Sequence, residues 1–199
     1  MHLPVLKATS LFLTALAFLT TAVAVPAPGP APNPAAPPTS CTTIHPAIAR
    51  VDAARPVESY LPGFHISQNA NGAAKQDTFA EFTVPRGVWG CTLSYSFPRN
   101  YPISTVGLAP VEVFSVAGPL SRSPRGIDIS WDFCPAPISM VGSVKFESSP
   151  SGVTNRVINS FACQPNMSYR LSISKGYAAK TSVSFVQSAT AGLRMTYNC

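Results

Sequence analysis

From Cys91 to Phe97 the chain reads CTLSYSF, with Cys91, Leu93, Tyr95 and Phe97 alternating with Thr92, Ser94 and Ser96. A period of two puts one set of side chains on a core and the other on the opposite face, the signature of a half-buried β-strand. The same alternation returns in IDISWDF, which sets Ile127, Ile129, Trp131 and Phe133 against Asp128, Ser130 and Asp132. It returns again in YRLSISK and LRMTYNC, and less regularly over Thr78 to Val84, Val111 to Val116, Val141 to Phe146, Val157 to Cys163 and Thr181 to Gln187. Pro or Gly punctuates nearly every gap. About nine short strands without intervening helices predict an all-β fold, an antiparallel β-sandwich over residues 77–199 stabilised by disulfides. In such a fold the small hydroxyls of Thr92, Ser94, Ser96, Ser130, Ser172, Ser174, Ser182, Ser184 and Thr196 form an outer coat facing water.

The N-terminal residues are of another kind. One basic residue, Lys7, precedes an apolar run from Leu11 to Leu19 and an Ala22-Val23-Ala24 ending, which reads as a secretory signal peptide over residues 1–24. A membrane anchor needs roughly 20 consecutive apolar residues, and Thr14, Thr20 and Thr21 interrupt this run. No membrane span is expected elsewhere, and the expected location is secreted, extracellular or at the cell wall. Residues 25–40 hold seven prolines in sixteen positions and read as an extended Pro-rich linker. Residues 41–76, with many turn formers, are expected to be an irregular N-terminal extension, with a short helix near Ile48 to Ala54 that Pro56 stops.

Charge and cysteine usage exclude several functions. The chain has 14 Lys and Arg against 8 Asp and Glu, and removing residues 1–24 takes away only Lys7, leaving 13 against 8. No two basic residues are adjacent, so a nucleic-acid partner, which calls for clustered Lys and Arg, is not expected. The five cysteines, Cys41, Cys91, Cys134, Cys163 and Cys199, show neither a C-x-x-C nor a neighbouring His pair, so no zinc site and no cofactor is expected. In an oxidising compartment they are expected to form disulfides, and two bonds among five cysteines leave 15 arrangements open. Asn166-Met167-Ser168 is a glycosylation sequon, placed in a turn between two strands.

A catalytic set is not evident. Only His45 and His65 follow the signal segment, and no G-x-S-x-G elbow exists. Asp128 and Asp132 share an expected strand face, but four residues separate them by roughly 13 Å, too far for a carboxylate pair. Tyr101 and Tyr177, in turn-like sequence, are candidate ligand contacts together with Asp128 and Asp132, whereas Trp131 is assigned to the core and Trp89 to the cover of a disulfide. The expected role is therefore non-enzymatic: a structural, adhesive or effector-like module, its partner a cell-wall polysaccharide or a host surface protein. The alternatives are a carbohydrate-binding module and a secreted hydrolase.

The run TFAEFTVPRGVWGCTLSYSFPRNYPI, followed by VFSVAGPL, SWDFCPAPIS, INSFACQPNMSYRLSI and VSFVQSATAGLRMTYNC, resembles the fungal secreted proteins that carry the C-terminal domain named after ubiquitin three binding protein. The resemblance spans residues 57–199. It implies a β-sandwich on a fungal extracellular or wall protein and supplies no catalytic residue. Ubiquitin-pathway binding, cytosolic by nature, is not carried over to a chain with this leader. The resemblance also implies that the cysteine of the C-x-L segment bonds a later one. Strand parity turns Cys91, Cys163 and Cys199 towards the core, where they would crosslink the layers, and the expected pair is Cys91 with Cys163. Cys199 then takes Cys41 or Cys134. Cys134 follows core-facing Phe133, so parity turns it outward, making it the candidate for a free or intermolecular thiol.

Overall fold

A computed structural model describes residues 41–107 and 110–199. The expected signal peptide and Pro-rich linker lie outside the described residues. The fold is all-β and antiparallel, a two-sheet sandwich with fourteen strands among the described residues where the alternation suggested about nine. In chain order they are β1 (Thr42–Ile44), β2 (Ala47–Asp52), β3 (Phe64–Gln68), β4 (Gln76–Thr83), β5 (Cys91–Phe97), β6 (Ser104–Val106) and β7 (Val111–Val116). There follow β8 (Arg122–Ser123), β9 (Gly126–Ile127), β10 (Pro137–Val144), β11 (Thr154–Phe161), β12 (Asn166–Ile173), β13 (Thr181–Phe185) and β14 (Gly192–Tyr197). One sheet runs β1-β14-β5-β11, the other β10-β7-β12-β4-β3-β13-β6 with β2 also paired to β4, and β8–β9 form a small ribbon.

The main core lies between the two sheets. Leu93, Tyr95, Phe97, Leu193 and Met195 from the smaller sheet meet Ala80, Phe82, Val113, Tyr169 and Leu171 from the larger. β4 is buried on both faces, because Phe79, on the face opposite Ala80, belongs to a second apolar cluster with Ala49, Val51, Val116, Leu120, Ile127 and Ile129. That cluster forms where the segment from Ala117 to Ala136 crosses the outer face of the larger sheet as a strap. Its anchor is the buried Glu81 carboxylate, which accepts from Leu120 N at 2.6 Å, Ser168 Oγ at 3.0 Å and the Arg122 guanidinium.

Double burial explains where the sequence misleads. Residues 41–76 are not irregular: they hold β1, β2 and β3, and the expected helix near Ile48 to Ala54 is β2. Ile48 faces the main core while Ala49 and Val51 face the strap, so the strand shows no polar-apolar alternation to read. IDISWDF errs in the other direction. Only Gly126–Ile127 is a strand; Ile127 and Ile129 alternate because an extended strap presses them on the sheet, and Phe133 is 75% exposed in the turn that follows. The hydroxyl coat is also partly covered, with Ser94, Ser96 and Ser130 buried.

Cys91 bonds Cys163 and Cys41 bonds Cys199, and the Cys134 thiol is free. The bonds do not cross from layer to layer. Cys91 opposes Phe161 in the β5–β11 register, two residues before Cys163, and Thr42 opposes Tyr197 next to the other bond, so both staple neighbouring strands of the smaller sheet. Cys134 is not turned outward. It is half-buried against the second cluster, with its Sγ 3.2 Å from Trp131 O, and burial pushes its pKa up.

Candidate binding cleft

β2, β3 and the end of β13 meet the strap around a cavity of about 590 Å³, within the range of small-molecule sites. β2 supplies Ile48 and Arg50, β3 supplies Phe64 and His65, β13 and its exit supply Phe185, Val186 and Gln187, and the strap closes one side with Ile127. A second cavity of about 430 Å³ adjoins it, sharing Pro62 and Ile127 and continuing along Tyr60, Leu61, Arg125 and Asp128.

The apolar wall is rigid for a stated reason. Phe64 and Phe185 stack with centroids 3.9 Å apart, and Phe146 and Phe97 pack behind them at about 5 Å. Offset and edge contacts of this kind add to the burial of the rings themselves. Beyond Phe185 the chain is tied down by Tyr101, whose hydroxyl donates to Val186 O at 2.7 Å, which leaves the Val186 side chain 71% exposed at the rim. Gln187 then bridges Leu193, accepting from its N–H and donating to its carbonyl, both at 2.8 Å. Gly192, at φ 108°, permits that bridge, because a Cβ there would collide with the Gln187 amide.

The polar groups of the cleft are few. The Arg50 guanidinium lies 4.5 Å over the Tyr60 ring; its Nε is buried without an acceptor, and Arg50 forms no ion pair among the described residues. Asp52, two residues along, is occupied by Ala54 N, Gln76 Nε2 and Tyr60 Oη at 2.8 to 3.2 Å. His65 is half-buried, and its pKa is pushed down first by burial and then by Arg50, with Asp52 opposing. The imidazole is therefore neutral at pH 7, and the cleft presents one cation, one neutral ring and an apolar wall. Other buried charges are committed elsewhere. Asp77 pairs with Arg170 at 2.7 Å, and Arg170 is held between the rings of Phe79 and Trp131 at 5.6 and 4.9 Å. Burial raises the Asp77 pKa against the lowering effect of Arg170.

The residues singled out from the sequence do not form one site. Tyr101 is half-buried, stacked on Phe97 at 5.2 Å, and Tyr177 is half-buried on the main core with its carbonyl accepting from Gln68, so neither ring is an open platform. Asp128 and Asp132 are exposed on the strap, not on a strand face. Asp128 accepts from Ser59 Oγ at 2.6 Å and Asp132 N donates to Pro56 O. Asn166 is exposed as the first residue of β12, paired with Thr83, and so not in a turn. Trp131, part of the strap, is half-buried against the second cluster, and Trp89 is 47% exposed. Arg50 and His65 went unread as site residues because the stretch holding them carried no strand pattern over β2. FHISQ did carry one, with Phe64, Ile66 and Gln68 buried and His65 and Ser67 between them.

Among the described residues no cluster of three His, Cys, Asp or Glu side chains could hold a metal, and no helix is long and apolar enough to cross a membrane. No family model matches the chain, and no curated protein matches it.

Proposed function

We propose that the protein is a secreted, non-enzymatic fungal module that acts at the cell wall or at a host surface by binding, in a structural, adhesive or effector-like role. The observation that carries this reading is the cleft of β2, β3 and β13: a formed cavity with a few polar side chains, Arg50, His65, Ser184 and Gln187, set in an apolar wall, an arrangement suited to holding a ligand. Two disulfides support an oxidising compartment, and the leader-like N-terminus and the resemblance to fungal wall and secreted proteins support the location and origin. Asn166, exposed at the start of β12, is the proposed glycosylation site.

The test is a panel of insoluble wall fractions, chitin, glucan and intact host cells incubated with the secreted protein, followed by pull-down and by assay of released sugars and peptides. Retention on wall or host cells without released product is expected. Turnover of any panel substrate, lost on mutation of a cleft residue, would overturn the non-enzymatic reading. Selective retention on one purified polysaccharide would move the reading to a carbohydrate-binding module.

A further inference from the structure

We infer that the cleft is a site for an amphipathic monocarboxylate of the long-chain fatty-acid class, its carboxylate on Arg50 and its hydrocarbon against Ile48, Phe64, Phe185 and Val186. The inference rests on the binding-module reading and gives that site its ligand class. Three observations carry it. First, Arg50 has a buried Nε–H without an acceptor and no ion-pair partner among the described residues. A buried donor left unpaired costs about 1–3 kcal/mol, and the partly exposed remainder of the guanidinium, on the cleft wall, is the part an incoming acceptor reaches. A carboxylate meets a guanidinium with two parallel hydrogen bonds, better than a neutral hydroxyl can.

Second, the remainder of the cavity is mostly apolar: its other polar side chains are the neutral His65, Ser184 and Gln187, whose amide is spent on Leu193. Val186 is 71% exposed at its rim and Leu61, on the adjoining cavity, 75% exposed, two large side chains that a hydrocarbon chain would cover. Third, the charge of the site matches one carboxylate. Asp52, two residues along β2, has its oxygens taken by Ala54, Tyr60 and Gln76, and the His65 imidazole is neutral. A sugar would find polar side chains only at the ends, Arg50, His65 and Ser184 in this cavity and Ser59, Arg125 and Asp128 in the adjoining one, and little to bond along Ile48, Phe64 and Phe185.

The test uses the secreted full-length protein and isothermal titration calorimetry with dodecanoate below its micelle-forming concentration, methyl dodecanoate and a chitin hexasaccharide as probes. Dodecanoate should bind one per chain and the methyl ester at least tenfold more weakly. Arg50→Gln should weaken dodecanoate at least tenfold and leave the ester unchanged. Val186→Glu, at an exposed rim position that does not disturb the core, should weaken both. Equal affinity for acid and ester, unchanged affinity in both variants, or no dodecanoate binding would overturn the inference. Hexasaccharide binding that Arg50→Gln abolishes would overturn it as well. Retention on wall or host cells is measured on the same preparations. Retention without dodecanoate binding sinks the ligand class and leaves the module reading standing, whereas loss of both sinks the two together.

Discussion

Glu81 is 2% exposed at the centre of β4, and three donors converge on it. Replacing it by alanine strips acceptors from Leu120 N and Ser168 Oγ, both buried, and from Arg122, whose side chain is 46% exposed. The Ser168 hydroxyl can rotate and Arg122 can turn to water, but the Leu120 amide is fixed by the strap. Each hydrogen bond to a charged group is worth about 1.5–3 kcal/mol, and removing the carboxylate also removes its own desolvation cost. The net expectation for Glu81→Ala is a loss of about 3 kcal/mol. For a domain of this size that corresponds to a fall in Tm of roughly 6–12 °C. Arg122→Ala takes the cation from a carboxylate that is 1% exposed but keeps the Leu120 and Ser168 donors, and should cost about 1.5–3 kcal/mol. Urea unfolding would compare the variants, and amide exchange would locate the damage, with protection lost first at Leu120 and at Asp128 N, which bonds Ser121 O across the strap. If Glu81→Ala stayed within 1 kcal/mol of the parent, or if protection at Leu120 were unchanged, the carboxylate would not be what fixes the strap.

Three further outcomes follow from the same geometry. Trp131→Ala should cost about 1–2 kcal/mol, less than the 3–5 of a fully buried aromatic, because the ring is half-buried and covers Arg170; a loss equal to that of Tyr95→Ala in parallel melts would contradict the placement. The fold depresses the pKa of His65 below its unfolded value of roughly 6.5. Between the two values the unfolded chain binds more protons, so this group's stabilisation is complete above about pH 6.5 and is lost as pH falls. Urea midpoints from pH 4.5 to 8 should therefore rise less with pH in His65→Gln than in the parent, and parallel curves would refute the assignment. Cys41→Ser with Cys199→Ser removes a bond that spans 158 residues and should lower stability by about 2–5 kcal/mol, read as a shifted thermal midpoint; a midpoint matching the parent's would show that β1 holds without its staple.

Strands whose second face carries polar side chains were legible even where that face is covered, as in β4 and β5; β2, with Ala49 and Val51 on its second face, was not. β5, β12 and β14 carry the alternation on their surface because one sheet face packs on the core while the other meets polar groups or water. β2 lost it when the strap covered its second face, and with it went any reason to look at Arg50. The strap itself borrowed a strand's pattern, since an extended segment laid on a sheet also buries every second side chain. Periodicity reports burial, and it reports hydrogen-bonded pairing only where nothing else covers the chain. For the same reason the cleft was invisible: Arg50 and Phe185 are separated by 135 positions and meet only because β3 joins β4 at one register pair, Ser67 with Gln76, while pairing along its length with β13.

The strap resolves a further question, why the larger sheet tolerates buried charge on its outer face. Two carboxylates on β4, Asp77 and Glu81, lie on the same side as Phe79, and each meets an arginine that is partly exposed, Arg170 at 15% and Arg122 at 46%. An apolar outer face would hold the strap equally well in many positions, because dispersion has no preferred register. Charged groups do prefer one: sliding the strap by one residue would leave Glu81 without the Leu120 amide and Arg170 without the Trp131 ring. Buried pairs of this kind add little net stability and penalise every alternative in which a partner is missing. The same fixed register places Ile127 in the cleft wall with Phe64 and Pro62, so that wall is positioned by the bonds of Glu81 to Leu120 and Arg122, seven and five residues earlier in the strap.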